Sequence, residues 1–209
     1  KTGYYQSGGA IGFRDQLQDA VGMRYIGKEI LKEQILICAA HQFKEGDVLH
    51  WWHNETKKGI RTKFSDDLLW LVYATIEYVD FENDYSILDE KIEYLSGEIL
   101  KEGEEERYSL YYGSNIKETL FEHCIKAIEN ITSKGIEPFP KIGVGDWNDG
   151  FNKIGNEGKG QSIWLGFFLY DILIKFIPIC AKKNRKDLVE KYLEYTEILK
   201  RNLNTKGWD

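Results

Sequence analysis

The densest set of polar and aromatic side chains lies in residues 143–152, which read Gly-Val-Gly-Asp-Trp-Asn-Asp-Gly-Phe-Asn. Two carboxylates, Asp146 and Asp149, flank Trp147 and Asn148, and the glycines on both sides permit tight backbone turns. A Trp ring suits the apolar face of a sugar, while Asn and Asp can bind its hydroxyls. The pattern is typical of a loop that binds a sugar, and an Asx turn explains the same spacing equally well.

A second segment, residues 8–19, runs from glycines into a helix whose first turn carries Arg14 and Asp15. An acid at this position stabilises the helix dipole, which is sufficient to explain Asp15. A cation there is unfavourable unless it is paired, so Arg14 needs another explanation. We therefore take Arg14 and Asp15 as candidate binding residues.

Residues 41–53 contain three histidines, which could suggest a metal site. However, His50 and His53 are separated by Trp51 and Trp52, and this spacing favours an aromatic sugar platform or plain loop packing. The sequence predicts no metal site, and Trp52 is a candidate sugar contact.

Residues 61–67 place cations close to a helix start that a Ser would cap, so Arg61 is a candidate anion ligand. A helix cap with solvated Arg and Lys explains this segment at least as well. The charge run at residues 102–107 is typical of a solvated loop.

Composition and missing motifs exclude several function classes. The net charge is -6 and basic blocks are absent, so nucleic acid is not expected as a partner. The sequence lacks a phosphate-binding glycine loop, a nucleophile elbow and a dinucleotide fingerprint, which disfavours kinases and serine hydrolases.

Cysteine use and hydropathy bear on location. The three cysteines lie in apolar helical contexts, which favours buried thiols in a reducing, cytoplasmic compartment. The most apolar stretch, residues 163–181, contains Asp171, Lys175 and Pro178. It therefore predicts a buried helix and no membrane span.

Apolar periodicity predicts about six helices that must position these segments. They cover residues 16–27, 28–43, 68–79, 115–133, 162–182 and 185–203. Residues 50–52 and 60–64 could form a short hairpin. Long loops at residues 44–64, 82–114 and 136–160 alternate with short turns, which places the long loops on one face, where a site would be built.

Four segments in order, residues 5–19, 41–53, 59–71 and 145–152, resemble the catalytic domain of glycoside hydrolase family 94. Within that family they are most similar to the phosphorylase region of members that handle β-1,2-glucans, cyclic ones included. The resemblance implies an all-α fold, the first half of an (α/α)6 barrel with long loops on one face. Residues 1–209 would then be part of a longer catalytic domain.

The resemblance also implies a reaction and residue roles. The reaction would be reversible, inverting phosphorolysis of β-glucosides to α-glucose 1-phosphate, with inorganic phosphate as co-substrate and no cofactor. Asp149 would be the general acid and Trp147 would line the donor-sugar subsite. Asp15 would hold sugar hydroxyls, and Arg14 would face the reacting centre.

Two alternatives remain open at this point. An inverting hydrolase would need a second carboxylate, for which Asp66 and Asp67 are candidates. A non-catalytic carbohydrate-binding module would explain the Trp-rich loops without an acid. Cellobiose-type members carry an Arg where this chain has Gly8 and Gly9, which fits a different linkage.

The family's phosphate ligands come from the later half of the domain, so we expect residues 1–209 alone to be inactive. We also expect an exposed apolar half-barrel surface to drive association. Membrane attachment of a longer parent protein is left open.

Overall fold

The computed structural model describes residues 8–155 and 157–208; Tyr5, Gln6 and Ser7, which begin the family-like segment, lie outside the described residues. The helices are α1 (Phe13–Met23), α2 (Lys28–Ala39), α3 (Asp67–Glu82), α4 (Leu120–Thr132), α5 (Ile163–Lys182) and α6 (Lys186–Thr205). The strands are β1 (Ile11–Gly12), β2 (Leu49–His53), β3 (Lys58–Thr62), β4 (Lys91–Ser96), β5 (Glu106–Leu110) and β6 (Tyr112–Thr119).

Helix α3 is the centre of the core. It packs against α1, α2, α4 and α5, and its residues are apolar nearly all round, which is why it can be buried on several sides. Helices α5 and α6 pair with each other at one side of it. The predicted helical segments that correspond to α3, α5 and α6 are confirmed.

Two antiparallel sheets accompany the helices, so the predicted all-α half-barrel was wrong and the fold is mixed α and β. One sheet has the order β1-β2-β3-β5, and the other pairs β4 with β6. Strands β4, β5 and β6 lie largely in the segment that was predicted as a long loop. Most side chains of β5 and β6 are exposed or only half-buried, so the apolar alternation that marks a strand is weak there.

The predicted helix over residues 115–133 was wrong in its first part. Residues 115–119 continue β6, and the helix begins at Leu120. The hydroxyl of Thr119 accepts a hydrogen bond from the Glu122 amide and so caps α4. Ile116, which helical periodicity placed on the apolar face, is exposed on the strand.

The predicted hairpin is confirmed. Trp52 lies opposite Gly59 and Leu49 lies opposite Arg61 in the β2–β3 pair. Strand β1 adds to its outer edge, with Gly12 opposite Trp51. This pairing brings the start of α1, which carries Arg14, beside β2.

Helix α5 is the apolar helix of the sequence prediction. Among the described residues it alone is long and apolar enough to cross a membrane, and 44% of its most apolar window is buried inside the protein. Ser162 caps it by accepting a hydrogen bond from the Leu165 amide, as predicted. That the helix does not span a membrane stays a prediction. All three cysteines, Cys38, Cys124 and Cys180, are free and buried.

Candidate active site

Arg14 joins three distant segments of the chain. Its Nη1 donates to both carboxylate oxygens of Asp66, at 3.2 and 3.1 Å, and to the Asp146 carbonyl oxygen at 3.0 Å. Its Nη2 donates to Asp149 Oδ1 at 2.5 Å. These acceptors explain why a cation is tolerated in the first turn of α1.

The buried half of this cluster is the Arg14–Asp66 ion pair. Asp66 is fully buried and also accepts a hydrogen bond from Trp70 Nε1 at 3.0 Å. Burial and the neighbouring Asp67 raise the pKa of Asp66 to about 7, against the opposite effects of Arg14 and Trp70. Burial lowers the pKa of Arg14, but the surrounding carboxylates outweigh it and the net shift is upward, so the guanidinium stays charged.

Residues 143–152, here called the acid loop, are held against the start of α3. Both the amide and the hydroxyl of Ser65 donate to the Gly145 carbonyl oxygen at 3.0 Å. A side chain at Gly145 would collide with the Phe64 ring, and one at Gly143 would collide with the Lys63 carbonyl oxygen. The glycines were expected to permit tight turns, and Gly143 does adopt a positive φ of 64°; the close packing is a further requirement that the sequence analysis did not state. The predicted Ser cap of α3 was wrong, because Ser65 binds the acid loop and the N-cap residue is Asp66.

Within the acid loop, two polar residues shape the backbone. The Asp146 carboxylate accepts hydrogen bonds from the backbone amide of Asn148 at 3.0 Å and from the Ser162 hydroxyl at 2.6 Å. Asn148 Oδ1 accepts a hydrogen bond from the Gly150 amide at 2.9 Å. These are the Asx turns of the alternative interpretation. The predicted sugar contacts of Asp146 and Asn148 stay predictions.

The other two acid-loop residues are presented outward. The Asp149 side chain is 56% exposed although it is paired with Arg14. Trp147 is 53% exposed. The loop therefore exposes a carboxyl group and, two residues before it in sequence, an aromatic ring. Asp15 is exposed on α1, one residue after Arg14, and its predicted sugar contact stays a prediction.

Trp52 and Arg61 have no hydrogen bond, ion pair or ring contact with Arg14 or Asp149 within the described part of the chain. Trp52 is buried, with His41 stacked on it at 3.8 Å between ring centroids. Its predicted role as a sugar contact stays a prediction.

Arg61 is likewise committed to protein groups. It is fully buried, pairs with Asp47 at 2.6 Å and Glu45 at 2.9 Å, and lies 3.8 Å from the Phe43 ring centroid. A substrate anion would have to displace these partners, so the predicted anion contact of Arg61 also stays a prediction.

His50 and Asp67 form an ion pair that the sequence analysis missed. His50 Nδ1 lies 2.7 Å from Asp67 Oδ2, and its ring stacks on Phe64 with centroids 4.6 Å apart. Burial lowers the pKa of His50, but Asp67 outweighs it and raises the pKa to about 9. One signal for this ion pair was present in the sequence. Asp66 and Asp67 are adjacent, and Arg14 can pair with only one of them, so the other carboxylate needs a second cation.

Two cavities have volumes of about 400 and 640 Å³, and Gly143 and Val144 at the start of the acid loop line the larger one. Trp52 and Tyr111 line the smaller one, and Arg61 and Lys134 line the larger one. Neither is lined by Arg14 or Asp149. Among the described residues, no group of three or more His, Cys, Asp or Glu side chains is placed to hold a metal ion.

Comparison with known proteins identifies the family. The chain is similar to the cyclic β-(1,2)-glucan synthase NdvB of Rhizobium meliloti, with 39% identity over 100% of this chain and 7% of the relative. It is 29% identical to the solabiose phosphorylase of Paenibacillus borealis, over 95% of this chain and 23% of the relative. The cellobionic acid phosphorylase of Neurospora crassa is 27% identical over 94% of this chain and 23% of the relative.

The chain thus spans less than a quarter of the length of these three relatives. The sequence profile of the glycosyl hydrolase 94 superfamily catalytic domain matches residues 1–209. A match over the whole chain, together with these relatives, shows that the chain belongs to the glycosyl hydrolase 94 superfamily and forms part of its catalytic domain.

Proposed function

We propose that this chain carries the acid side of the active site of a carbohydrate phosphorylase. The enzyme would cleave a β-glucoside with inorganic phosphate and release α-glucose 1-phosphate with inversion. The observation that carries the proposal is the acid loop, which holds the half-exposed Asp149 against Arg14 and also exposes Trp147. The proposal is also supported by relatives in the same family that are named phosphorylases.

Asp149 would act as the general acid. It would transfer a proton to the glycosidic oxygen while a phosphate oxygen attacks the anomeric carbon from the opposite side, so that the glycosidic bond breaks as the sugar–phosphate bond forms. Arg14 holds the carboxyl group in one orientation, and the exposed face of Asp149 leaves room for the leaving oxygen. Such a positioned acid contributes roughly 10²–10⁴-fold to the rate.

The state of Asp66 and Asp67 favours phosphorolysis over hydrolysis. An inverting hydrolase needs a second carboxylate with room for a water molecule. Asp66 and Asp67 are 0% and 1% exposed. The first is bonded to Arg14 and Trp70 and the second to His50. Neither carboxylate has room to activate a water molecule. Phosphorolysis needs no such base, because phosphate is already a nucleophile.

A non-catalytic binding module is the weaker alternative. Trp147 alone would serve such a module. A buried arginine that is anchored by Asp66 and directed at a half-exposed carboxyl group is a costly arrangement that sugar binding does not require. It fixes the orientation of the Asp149 carboxyl group, which a reacting carboxyl group requires.

We propose a β-1,2-linked glucan as the substrate. The support is the 39% identity to a relative whose name assigns it cyclic β-(1,2)-glucan. The cytoplasm, where phosphate and thiols coexist, is the compartment we propose.

The test is an assay of the purified full-length protein on β-1,2-linked oligoglucosides with and without phosphate. We expect phosphate-dependent formation of glucose 1-phosphate, and a loss of at least roughly 10²-fold in Asp149→Asn. The matched control is Asp171→Asn, a half-exposed aspartate on α5 that also has a cation partner, Lys175 at 2.8 Å. Release of free glucose without phosphate would identify a hydrolase, and full turnover in Asp149→Asn would refute the acid assignment.

We also propose that residues 1–209 alone lack activity and self-associate. Several large apolar side chains of α5 are exposed, namely Ile163, Trp164, Phe167 and Ile174. Such a surface tends to be covered by protein. Sedimentation of the isolated chain as a monodisperse monomer, or phosphorolysis by it, would contradict this proposal.

A further inference from the structure

The imidazole of His50 is held in one orientation by two independent contacts. Nδ1 is 2.7 Å from Asp67 Oδ2, and the ring stacks on Phe64 with an interplanar angle of 14°. Asp67 is itself 1% exposed and anchored at the start of α3, and Phe64 packs against Gly145 of the acid loop. The ring can therefore neither rotate freely nor exchange its partner at low cost.

The second ring nitrogen of His50 is available. Within the part of the chain that the structure describes, Nε2 has no hydrogen-bond partner, and it is not among the polar atoms closed off from solvent. The pairing with Asp67 favours the imidazolium, in which both nitrogens are donors. His50 thus presents a fixed N–H group to the solvent side of the cluster.

This N–H group belongs to the neighbourhood of the proposed acid. Arg14 pairs with both Asp149 and Asp66. The next residue along the chain, Asp67, pairs with His50. The strand pairing explains the proximity, because Trp51, the residue after His50, lies opposite Gly12 at the start of α1. A substrate oxygen atom bound beside Asp149 would therefore lie near the N–H group of His50.

The proposed reaction indicates which oxygen the donor suits. Phosphate would attack the anomeric carbon from the side opposite Asp149, so a donor near Asp149 lies on the side of the sugar and its leaving group. A sugar hydroxyl on that side can accept a hydrogen bond from the imidazole.

We propose that the Nε2–H group of His50 donates a hydrogen bond to a hydroxyl oxygen of the bound glucoside, and that this contact contributes to sugar specificity. The proposal rests on the proposed function, and it adds a substrate-binding residue that neither the acid loop nor α1 supplies.

Two substitutions separate the two nitrogens. His50→Asn places an amide N–H near the position of Nδ1, so it retains a donor for Asp67 and loses the outward donor. His50→Gln reaches the position of Nε2 and retains the outward donor. We would measure kcat/KM of the full-length protein for an oligoglucoside and for a series of analogues that each lack one hydroxyl group.

With the parent substrate, we expect His50→Asn to lose roughly 10- to 100-fold in kcat/KM, the effect of one hydrogen bond from a charged donor. With the one analogue that lacks the contacted hydroxyl, wild type and His50→Asn should be equal. His50→Gln should recover part of the loss. Thermal unfolding of each variant would confirm that it is folded.

If His50→Asn loses the same factor in kcat/KM with every analogue, His50 has only a structural role. If it loses no kcat/KM with any substrate, His50 makes no substrate contact. Either result overturns the proposal. Absence of phosphate-dependent turnover in the wild type would instead refute the proposed function. In that case, calorimetric binding of the same analogues to wild type and His50→Asn tests the contact without turnover.

Discussion

Arg14 makes two ion pairs that should differ sharply in their contribution to stability. Its partner Asp66 is 0% exposed, whereas its partner Asp149 is 56% exposed. Replacing Arg14 by Met removes both pairs, whereas replacing Asp149 by Asn removes only the exposed one. Both variants should lose phosphorolysis, but only the first should destabilise the fold.

The magnitudes follow from exposure. A solvent-exposed pair contributes up to about 1 kcal/mol, so Asp149→Asn should change the local unfolding free energy by no more than that. Removing one partner of a buried pair costs about 3–5 kcal/mol. Burial already raises the pKa of Asp66 to about 7, so Asp66 can take up a proton in Arg14→Met. This limits the loss to the lower end, about 3 kcal/mol.

Amide hydrogen exchange in α1 and α3 of the full-length protein measures the local opening free energy. Arg14→Met should lower it by about 3 kcal/mol in both helices. The double variant Arg14→Met/Asp66→Asn is the control and should show little further loss, because Asn replaces a carboxyl group that is already neutral. Equal opening free energies in Arg14→Met and Asp149→Asn would refute the assignment of Asp66 as the stabilising partner.

Two further predictions concern His50 and the glycines. The pKa of His50 is raised from 6.5 to about 9, so its pairing with Asp67 stabilises the fold fully below pH 6.5. That stabilisation, at most about 3 kcal/mol, should be lost as the pH rises to 9. Urea unfolding should show this loss in wild type and not in His50→Gln; parallel pH profiles would contradict it. Gly145→Ala should lower kcat roughly 10- to 100-fold by forcing the acid loop off Phe64. Gly22→Ala meets no atom within 4 Å in α1 and should instead add about 0.5–1 kcal/mol of stability with unchanged kcat. Unchanged kcat in Gly145→Ala would show that the packing does not position Asp149.

Local sequence patterns were sufficient for the helical core. Continuous apolar residues predicted α3 and α5, Ser162 marked the start of α5, and the Gly-bearing segment between residues 50 and 64 predicted the hairpin. These features depend on contacts between residues close in sequence, which periodicity and capping rules describe. The glycine requirement in the acid loop could also be read from residue types.

The tertiary structure alone decided the sheets and the partners of the charged residues. Strands β5 and β6 carry mostly exposed side chains, so their pairing depends on backbone hydrogen bonds to distant strands and leaves little periodic signal. In β4, Ile92 and Tyr94 are buried, but the alternation covers only two residues. For the same reason, sequence reasoning took residues 115–119 as helix.

The candidate site shows the same division. The resemblance pointed to both Asp149 and Arg14, but not to the hydrogen bond between them. Nor did it show that Arg14 pairs with Asp66, 52 residues away in sequence. Nor could spacing show that Ser65 binds the acid loop instead of capping α3, or that His50 pairs with Asp67. Residue types limit which contacts are chemically possible, and the packing of remote segments selects among them because a buried charge must be matched by whichever partner the fold brings within reach.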